Sequence, residues 1–202
     1  MISDTRSWGC RLGFVVVVTI LGFSCARASD APSRSWTLGH FQHTAWTEKD
    51  GAPSGISCLA QTTDGYLWMG SETGLYRFDG NKFVTFAPAT GEHLLSDAVQ
   101  ALLAEPSGGL WIGYVGDGIS YLKNGHLTHY GADSGFPAGN IYSIVRDKYS
   151  DIWAESLTGL MRFHDGAWRR FGEESGLPNG RPAALLVDSN GRLWLTQVRR
   201  RR

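Results

Sequence analysis

Asp64-Gly65-Tyr66-Leu67-Trp68-Met69-Gly70, followed by Gly74-Leu75-Tyr76-Arg77-Phe78-Asp79-Gly80, decides the fold because it recurs. Gly108-Gly109-Leu110-Trp111-Ile112-Gly113 repeats its first half, and Gly118-Ile119-Ser120-Tyr121-Leu122 its second. Asp151-Ile152-Trp153-Ala154 with Gly159-Leu160-Met161-Arg162-Phe163-His164-Asp165-Gly166 is a third copy, and Gly191-Arg192-Leu193-Trp194-Leu195 begins a fourth. The four tryptophans stand 43, 42 and 41 residues apart. One Trp per unit, at a period in the low forties, with glycine turns between short β-prone runs, marks a four-stranded unit repeated radially. The expected fold is all-β: β-propeller blades of four antiparallel strands, incomplete at about three and a half blades.

Working outward, the first full unit runs from about Gly55 to Asp97. Its strands are expected at Ile56 to Ala60, Tyr66 to Gly70, Leu75 to Phe78 and Phe83 to Phe86. Asp64-Gly65 is the strongest short hairpin signal. The second unit covers about Ala98 to Asn140 and the third about Ile141 to Gly180; the fourth begins at Arg181 and stops after Gln197. The third departs from the pattern at Ala154-Glu155, where the others have Gly70-Ser71 and Gly113-Tyr114. Blades stack face to face, so both faces are buried and clean apolar–polar alternation is absent. Trp68, Trp111 and Trp153 are expected to be equivalent buried blade residues.

Ahead of the first unit, Phe41 to Thr47 is β-prone and leads into Asp50-Gly51-Ala52-Pro53. Pro53, Pro137 and Pro178 keep phase with the tryptophans. The segment has the place of a unit's last strand, of the kind a circular array uses to close on itself.

The amino terminus reads as an export signal over residues 1–28. Arg6 and Arg11 precede a short apolar core, Leu12 to Ser24, and Ala26-Arg27-Ala28 suits cleavage after Ala28. Residues 29–39 read as a linker and 40–198 as repeats; Arg199 to Arg202 form a basic tail or mark a truncation. Over the whole chain 19 basic residues balance 19 acidic ones. Without the signal and the final arginines, 12 basic face 18 acidic residues, a net charge near −6. That balance argues against a nucleic-acid partner. Of three cysteines, Cys10 and Cys25 lie in the signal, which leaves Cys58 as a small core residue and no internal disulfide. Export without disulfides is compatible with a bacterial periplasm.

No residue pattern announces catalysis. His40 and His43, like His126 and His129, are three apart in strand-like contexts, where an odd offset sends side chains to opposite faces. That geometry disfavours a metal site. Asp64, Asp79 and Asp165 precede glycines at strand ends and suit turns, as does Asp188-Ser189-Asn190-Gly191. No phosphate-binding loop or nucleophile elbow occurs. No catalytic residue, metal or cofactor is expected. Recognition in such a fold falls on loops at one mouth of the central channel. The exit loops Gly91 to Asp97, Asp133 to Asn140 and Glu173 to Arg181 are expected there. So are the turns between second and third strands, Ser71 to Thr73, Tyr114 to Asp117 and Glu155 to Thr158. Glu72, Tyr114, Asp117, Asn140, Glu155 and Asn179 are the candidate ligand-binding residues.

Asp64 to Ser71 with Gly74 to Gly80 resembles the two-component-regulator propeller repeat, and Thr44-Ala45-Trp46-Thr47 with Asp50 to Pro53 resembles the opening of such sensors. The resemblance covers about residues 40–196. It implies the periplasmic sensor region of a bacterial hybrid histidine kinase or a related signalling protein, usually anchored in the inner membrane. The expected partners are an unknown small-molecule or glycan ligand, further blades, a kinase or DNA-binding output domain, and a second copy when full length. The alternatives are a carbohydrate-active or lyase-type propeller enzyme, or a protein-interaction scaffold. Thr62-Thr63-Asp64-Gly65-Tyr66-Leu67-Trp68 approaches the sialidase Asp-box, but Gly follows Asp at once and Leu67 replaces Thr. An arc this short leaves two sheet faces open and is expected to associate or aggregate, so residues 29–202 alone should bind nothing specifically while a full-length version should.

Overall fold

The computed structural model describes residues 43–177 and 181–198, with side chains from 184 to 197 in the last stretch. The chain divides into residues 1–43 and 44–202. His43 is the described part of the first; the rest concerns the second. The proposed signal, the linker, His40, Phe41, Asn179 and the final arginines lie outside the described residues.

Three four-stranded antiparallel meanders and one two-stranded sheet follow one another. Blade 1 is β1 (Ile56–Gln61), β2 (Leu67–Ser71), β3 (Gly74–Phe78) and β4 (Phe83–Thr85). Blade 2 is β5 (Val99–Ala104), β6 (Leu110–Tyr114), β7 (Ile119–Lys123) and β8 (His126–Tyr130). Blade 3 is β9 (Ile141–Arg146), β10 (Ile152–Ser156), β11 (Gly159–His164) and β12 (Ala167–Phe171). Blade 4 has β13 (Arg181–Val187) and β14 (Leu193–Val198). The first strands of successive blades lie side by side, β1 against β5, β5 against β9 and β9 against β13, as in a propeller arc. The expected architecture is therefore observed.

Each blade has a front face toward the following blade and a back face toward the preceding one. Trp68 and Leu75 on the front of blade 1 pack with Leu110, Ile112 and Leu122 from the back of blade 2. Trp111 and Ile119 from the front of blade 2 pack with Ile144, Ile152, Met161 and Trp168 from the back of blade 3. Burying each such aliphatic side chain stabilises by about 1.5–3 kcal/mol. Two glycines allow the close approach. A Cβ on Gly70 would lie 2.5 Å from the Val99 side chain, and one on Gly113 would lie 2.6 Å from Ile141. The corresponding residue of β10 is Glu155, buried at 1% exposure, and β13 brings Pro182 to the register of Val99 and Ile141.

The tryptophans hold one register, Trp68 opposite Arg77, Trp111 opposite Tyr121 and Trp153 opposite Arg162. Their burial differs. Trp68 and Trp111 are 6% and 2% exposed, Trp153 is half-buried, and Trp194 is 53% exposed. The expectation that Trp153 matches the first two in burial is corrected. A front-face Trp is covered by the next blade; blade 4 offers blade 3 only two strands among the described residues, and Trp194 faces no described blade.

Residues 43–47 form no strand, contrary to expectation. A ladder needs a neighbouring strand, and no described strand pairs with them. Their place is nevertheless that of an outer strand. Trp46 packs edge-on to Phe78 at 5.0 Å and Phe83 at 6.4 Å. Tyr130 of β8 meets Phe163 and Trp168 of the next blade in the same way, at 5.4 and 6.3 Å. Short 3-10 turns follow in phase at Glu48–Asp50, Ala132–Ser134 and Glu173–Ser175.

Candidate functional site

The antiparallel meander starts the exit loops and the turns between second and third strands of blades 1 to 3 on one side. The structure joins the two sets by hydrogen bonds. Val115 N donates to Ala98 O at 2.9 Å, Gly139 N to Gly116 O at 3.1 Å and Leu157 N to Asn140 O at 3.1 Å. Asp117 and Gly139 add a parallel bridge. The turns 114–117 and 155–158 thus open together with the exit loop 133–140, whereas Glu92 of the exit loop 91–97 reaches the start of β8 at His126 and Leu127.

Every first strand also carries a bulge just after its exit loop. One residue is inserted at Ser57, Gln100, Tyr142 and Ala183, between partners that are consecutive on the second strand. Bulges re-aim side chains and cluster beside binding sites. The innermost strands thus bring Ser57, Gln100 and Tyr142 to the mouth that the loops surround. Ser57 Oγ donates to Val99 O at 2.7 Å, which ties blade 1 to blade 2. Asn140 Nδ2 donates to the Tyr142 hydroxyl at 3.4 Å. Gln100 Oε1 is buried without a hydrogen-bond partner.

Of the sequence-derived candidates, Glu72 and Asp117 are exposed in their turns and Asn140 is half-buried beside Tyr142. Tyr114 and Glu155 are corrected as loop residues: they end β6 and lie within β10, fully buried. Burial pushes the Tyr114 hydroxyl up to about 12. Ser71 and Ser156 form matching turns, each accepting from the backbone N–H two residues on, at Thr73 and Thr158. Tyr114 stands in their place, and its turn is one residue longer, closing from Tyr114 N to Gly118 O at 3.1 Å. Ser57, Gln100 and Tyr142 were not legible, because a bulge appears only in the register between two strands.

Two polar clusters lie elsewhere. On the opposite side, at the hairpin between first and second strands of blade 3, Asp151 is buried. It accepts from Arg162 Nε at 2.8 Å, from Arg162 Nη2, and from His164 Nδ1 at 2.5 Å. Burial works to raise its carboxyl, but the His164 and Arg162 hydrogen bonds outweigh it and hold it below its ordinary value. At the outer strand of blade 2, Glu92 of the exit loop 91–97 accepts from Leu127 N at 2.7 Å and pairs with His126 at 3.0 Å. His129 lies on the other face of that strand, against Ser120 Oγ at 2.8 Å. Burial, then the neighbouring His93, lowers its pKa. Among the described residues no group of three His, Cys, Asp or Glu side chains could hold a metal ion.

A second feature was missed. Thr62, Glu105, Asp147 and Asp188 each stand six residues before a repeat tryptophan. Three accept its indole N–H, Thr62 at 3.0 Å, Asp147 at 2.8 Å and Asp188 at 2.9 Å. Glu105 instead accepts the Tyr121 hydroxyl at 2.6 Å, and the Trp111 indole nitrogen is buried without a partner. The polar residue at a fixed offset was visible in the sequence. The turn reading of Asp188 holds, since it also accepts Asn190 N and Arg192 N.

The model of the two-component regulator propeller family matches residues 50–73, which agrees with the resemblance read from the repeats. No curated protein sequence matches the chain. Among solved structures, the extracellular domain of a hybrid two-component system from B. thetaiotaomicron is similar at a TM-score of 0.61 and 23% identity. The match covers 69% of this chain and 20% of that one. The extracellular domain of a one-component system from the same organism gives 0.60 and 18%, over 70% and 22% of the two chains. A virginiamycin B lyase from Staphylococcus aureus gives 0.58 and 19%, over 77% and 52%. These likenesses establish the propeller fold. The chain spans about a fifth of the length of the two extracellular domains.

Proposed function

We propose that this chain is part of an exported, ligand-sensing β-propeller of the two-component-regulator type, and that it does no chemistry itself. The observation that carries the reading is the convergence of exit loops, inter-strand turns and first-strand bulges on one mouth. A rigid scaffold holding variable loops is the arrangement of a recognition surface. Asp117, Glu72, Asn140, Gln100 and Tyr142 offer hydrogen bonds there and suit a small polar molecule or a glycan. The tightest carboxylate and histidine contacts, Asp151–His164 and Glu92–His126, lie on the far side and on an outer strand. The match at residues 50–73 supports the sensory role over the enzyme and scaffold alternatives.

The remaining parts of the proposal come from the resemblance and the leader. The periplasm is the compartment, and a kinase or DNA-binding module outside these residues reads the bound state. Among the described residues no helix is long and apolar enough to cross a membrane. Three and a half blades fall short of the four to eight with which propellers close, so the ring needs further blades.

Thermal-shift screening of the protein with the blades that close its ring, against a panel of oligosaccharides and small polar metabolites, followed by calorimetric titration of any hit, tests the role. Saturable binding weakened at least tenfold by Gln100→Ala or Asp117→Ala is the expected result. Binding indifferent to both would remove the site from the mouth. Conversion of the bound molecule, followed by mass spectrometry, would favour an enzyme.

A further inference from the structure

The exit loop of blade 1 takes a longer path than the next one. Residues 86–98 lie between β4 and β5, against 131–140 between β8 and β9. Where the second loop makes a 3-10 turn at Ala132–Ser134, the first bends at Thr90-Gly91, closed by Glu92 N to Ala89 O at 3.0 Å with Gly91 at φ 89. It then crosses to the outer strand of blade 2. Glu92 accepts the Leu127 N–H at 2.7 Å, on the free edge of β8, and meets His126 Nδ1 at 3.0 Å. The His93 ring lies 5.9 Å from the His129 ring, whose Nδ1 is 2.8 Å from Ser120 Oγ. Leu94 and Leu95 return into the cluster of Trp68, Tyr114 and Leu122 between blades 1 and 2. Ala98 O ends the loop at the mouth, accepting from Val115 N at 2.9 Å. The loop is thus a strap that joins the outer strand of blade 2 to the mouth turn of the same blade.

The tip of the strap is where charge changes near neutral pH. His93 is exposed, and His129 is half-buried on the back face of β8. Burial, then His93, holds the His129 imidazole below its ordinary 6.5, with Glu92 opposing. A group that charges less readily while covered favours uncovering once it is charged. The closed strap is therefore favoured above about pH 6.5 and loses that advantage as pH falls below it. The His126 and Leu127 hydrogen bonds hold the Glu92 carboxyl below its ordinary 4.5, so it stays charged through this range. Charging His126 tightens its pair with Glu92, but the His126 side chain is 73% exposed and solvent screens that pair. Burial raises the Tyr114 hydroxyl to about 12, so it stays neutral. Lys123 and Tyr130 share the other face of the sheet with His126. Arg77, on the front of blade 1, lies over the Tyr66 ring at 4.3 Å. Asp97 of the strap is exposed.

We propose that the exit loop of blade 1 is a pH-released strap. With His129 neutral it is closed on blade 2; with His129 charged its tip lifts from β8, and the mouth turn 115–117 loosens with it through the bond from Val115 N to Ala98 O. Acidity outside the cell then loosens one side of the recognition mouth. That consequence for binding rests on the sensor reading, whereas the release of the strap does not.

Amide hydrogen exchange read by NMR, on the protein with the blades that close its ring, tests it. After correction for the intrinsic pH dependence of exchange, protection at Leu127 and Val115 should fall at least threefold from about pH 7.5 to about pH 5.5. His129→Asn keeps an amide for Ser120 and removes the titration, so its protection should not change over that range. Unchanged protection in the parent overturns the proposal, as does the same fall in His129→Asn. Tighter protection at low pH also overturns it, because the His126–Glu92 pair would then control the strap. Loss at Leu127 with Val115 still protected overturns the coupling to the mouth, and with it the proposal. All four outcomes leave the sensor reading standing. If near-ultraviolet circular dichroism shows that His129→Asn has lost its fold, the parent alone decides. Its His129 ring and Leu127 amide resonances should titrate at one midpoint below 6.5, and separate midpoints overturn the proposal.

Discussion

Asp151 and Ser150 are where single residues depart most from their repeat counterparts. Tyr66 and Gly109 occupy the position of Asp151. Arg77 lies over the Tyr66 ring at 4.3 Å, whereas Arg162 in the same register pairs with a carboxylate. A folded-state pKa held below the ordinary 3.8 contributes stability that is present above that value and lost as pH falls through the folded one. Urea unfolding of the parent chain should therefore lose more free energy between about pH 5 and about pH 3 than Asp151→Asn does. At neutral pH the substitution should cost about 1–3 kcal/mol, since it strips a charged partner from Arg162 and His164. Ser150 has φ 74 where Gly65, Gly108 and Gly191 have 90, 85 and 72. A side chain in that region is strained by about 1–2 kcal/mol. Ser150→Gly should raise stability, by about 1 kcal/mol or less once the hydrogen bond from Arg146 to Ser150 Oγ is lost.

At the scale of the blade, the order of burial among the tryptophans sets an order of stability effects. Trp68→Ala and Trp111→Ala should each cost about 3–5 kcal/mol, the range for emptying an aromatic core site. Trp153→Ala should cost less. Trp194→Ala should stay within about 0.5 kcal/mol. Denaturant midpoints check the series, and a uniform loss across all four would mean that the front of blade 4 is covered. Gly113→Ala tests the close approach of the sheets from the other direction. Its Cβ would meet both the Ile141 side chain and Ala101 Cβ, and overpacking of that kind costs about 1–3 kcal/mol. Gly116→Ala would meet nothing within 4 Å, so its cost should come from backbone strain alone at φ 90.

For the molecule as a whole, two outcomes bear on its place and task. Export with cleavage after Ala28 would leave Ser29 as the first residue, and amino-terminal sequencing of exported material checks it. An intact Met1 in the membrane fraction would point to an anchor. Ligand binding belongs to this scale as well, because the mouth draws residues from several blades. Weakening one blade junction should then weaken binding even where no mouth residue is touched. Gly113→Ala overpacks the junction of blades 2 and 3 against Ile141 and is the suitable variant for calorimetry with any ligand found.

The amino-acid sequence determined the repeat, its four-strand content and the side on which the variable loops open. Those depend on local signals: turn glycines, β-prone runs and a Trp at a constant interval, each readable within a few residues. It also gave the segment ending at Thr47 the place of a unit's last strand, but residues 43–47 form no strand, because a ladder requires a partner that local propensity does not supply. Only the tertiary structure decided which tryptophans are covered, since that depends on the neighbouring blade rather than on the Trp-bearing one. It moved Tyr114 and Glu155 from the loops into the core, and it exposed the bulges at Ser57, Gln100 and Tyr142. Two strands must be laid side by side before an extra residue in one of them exists at all.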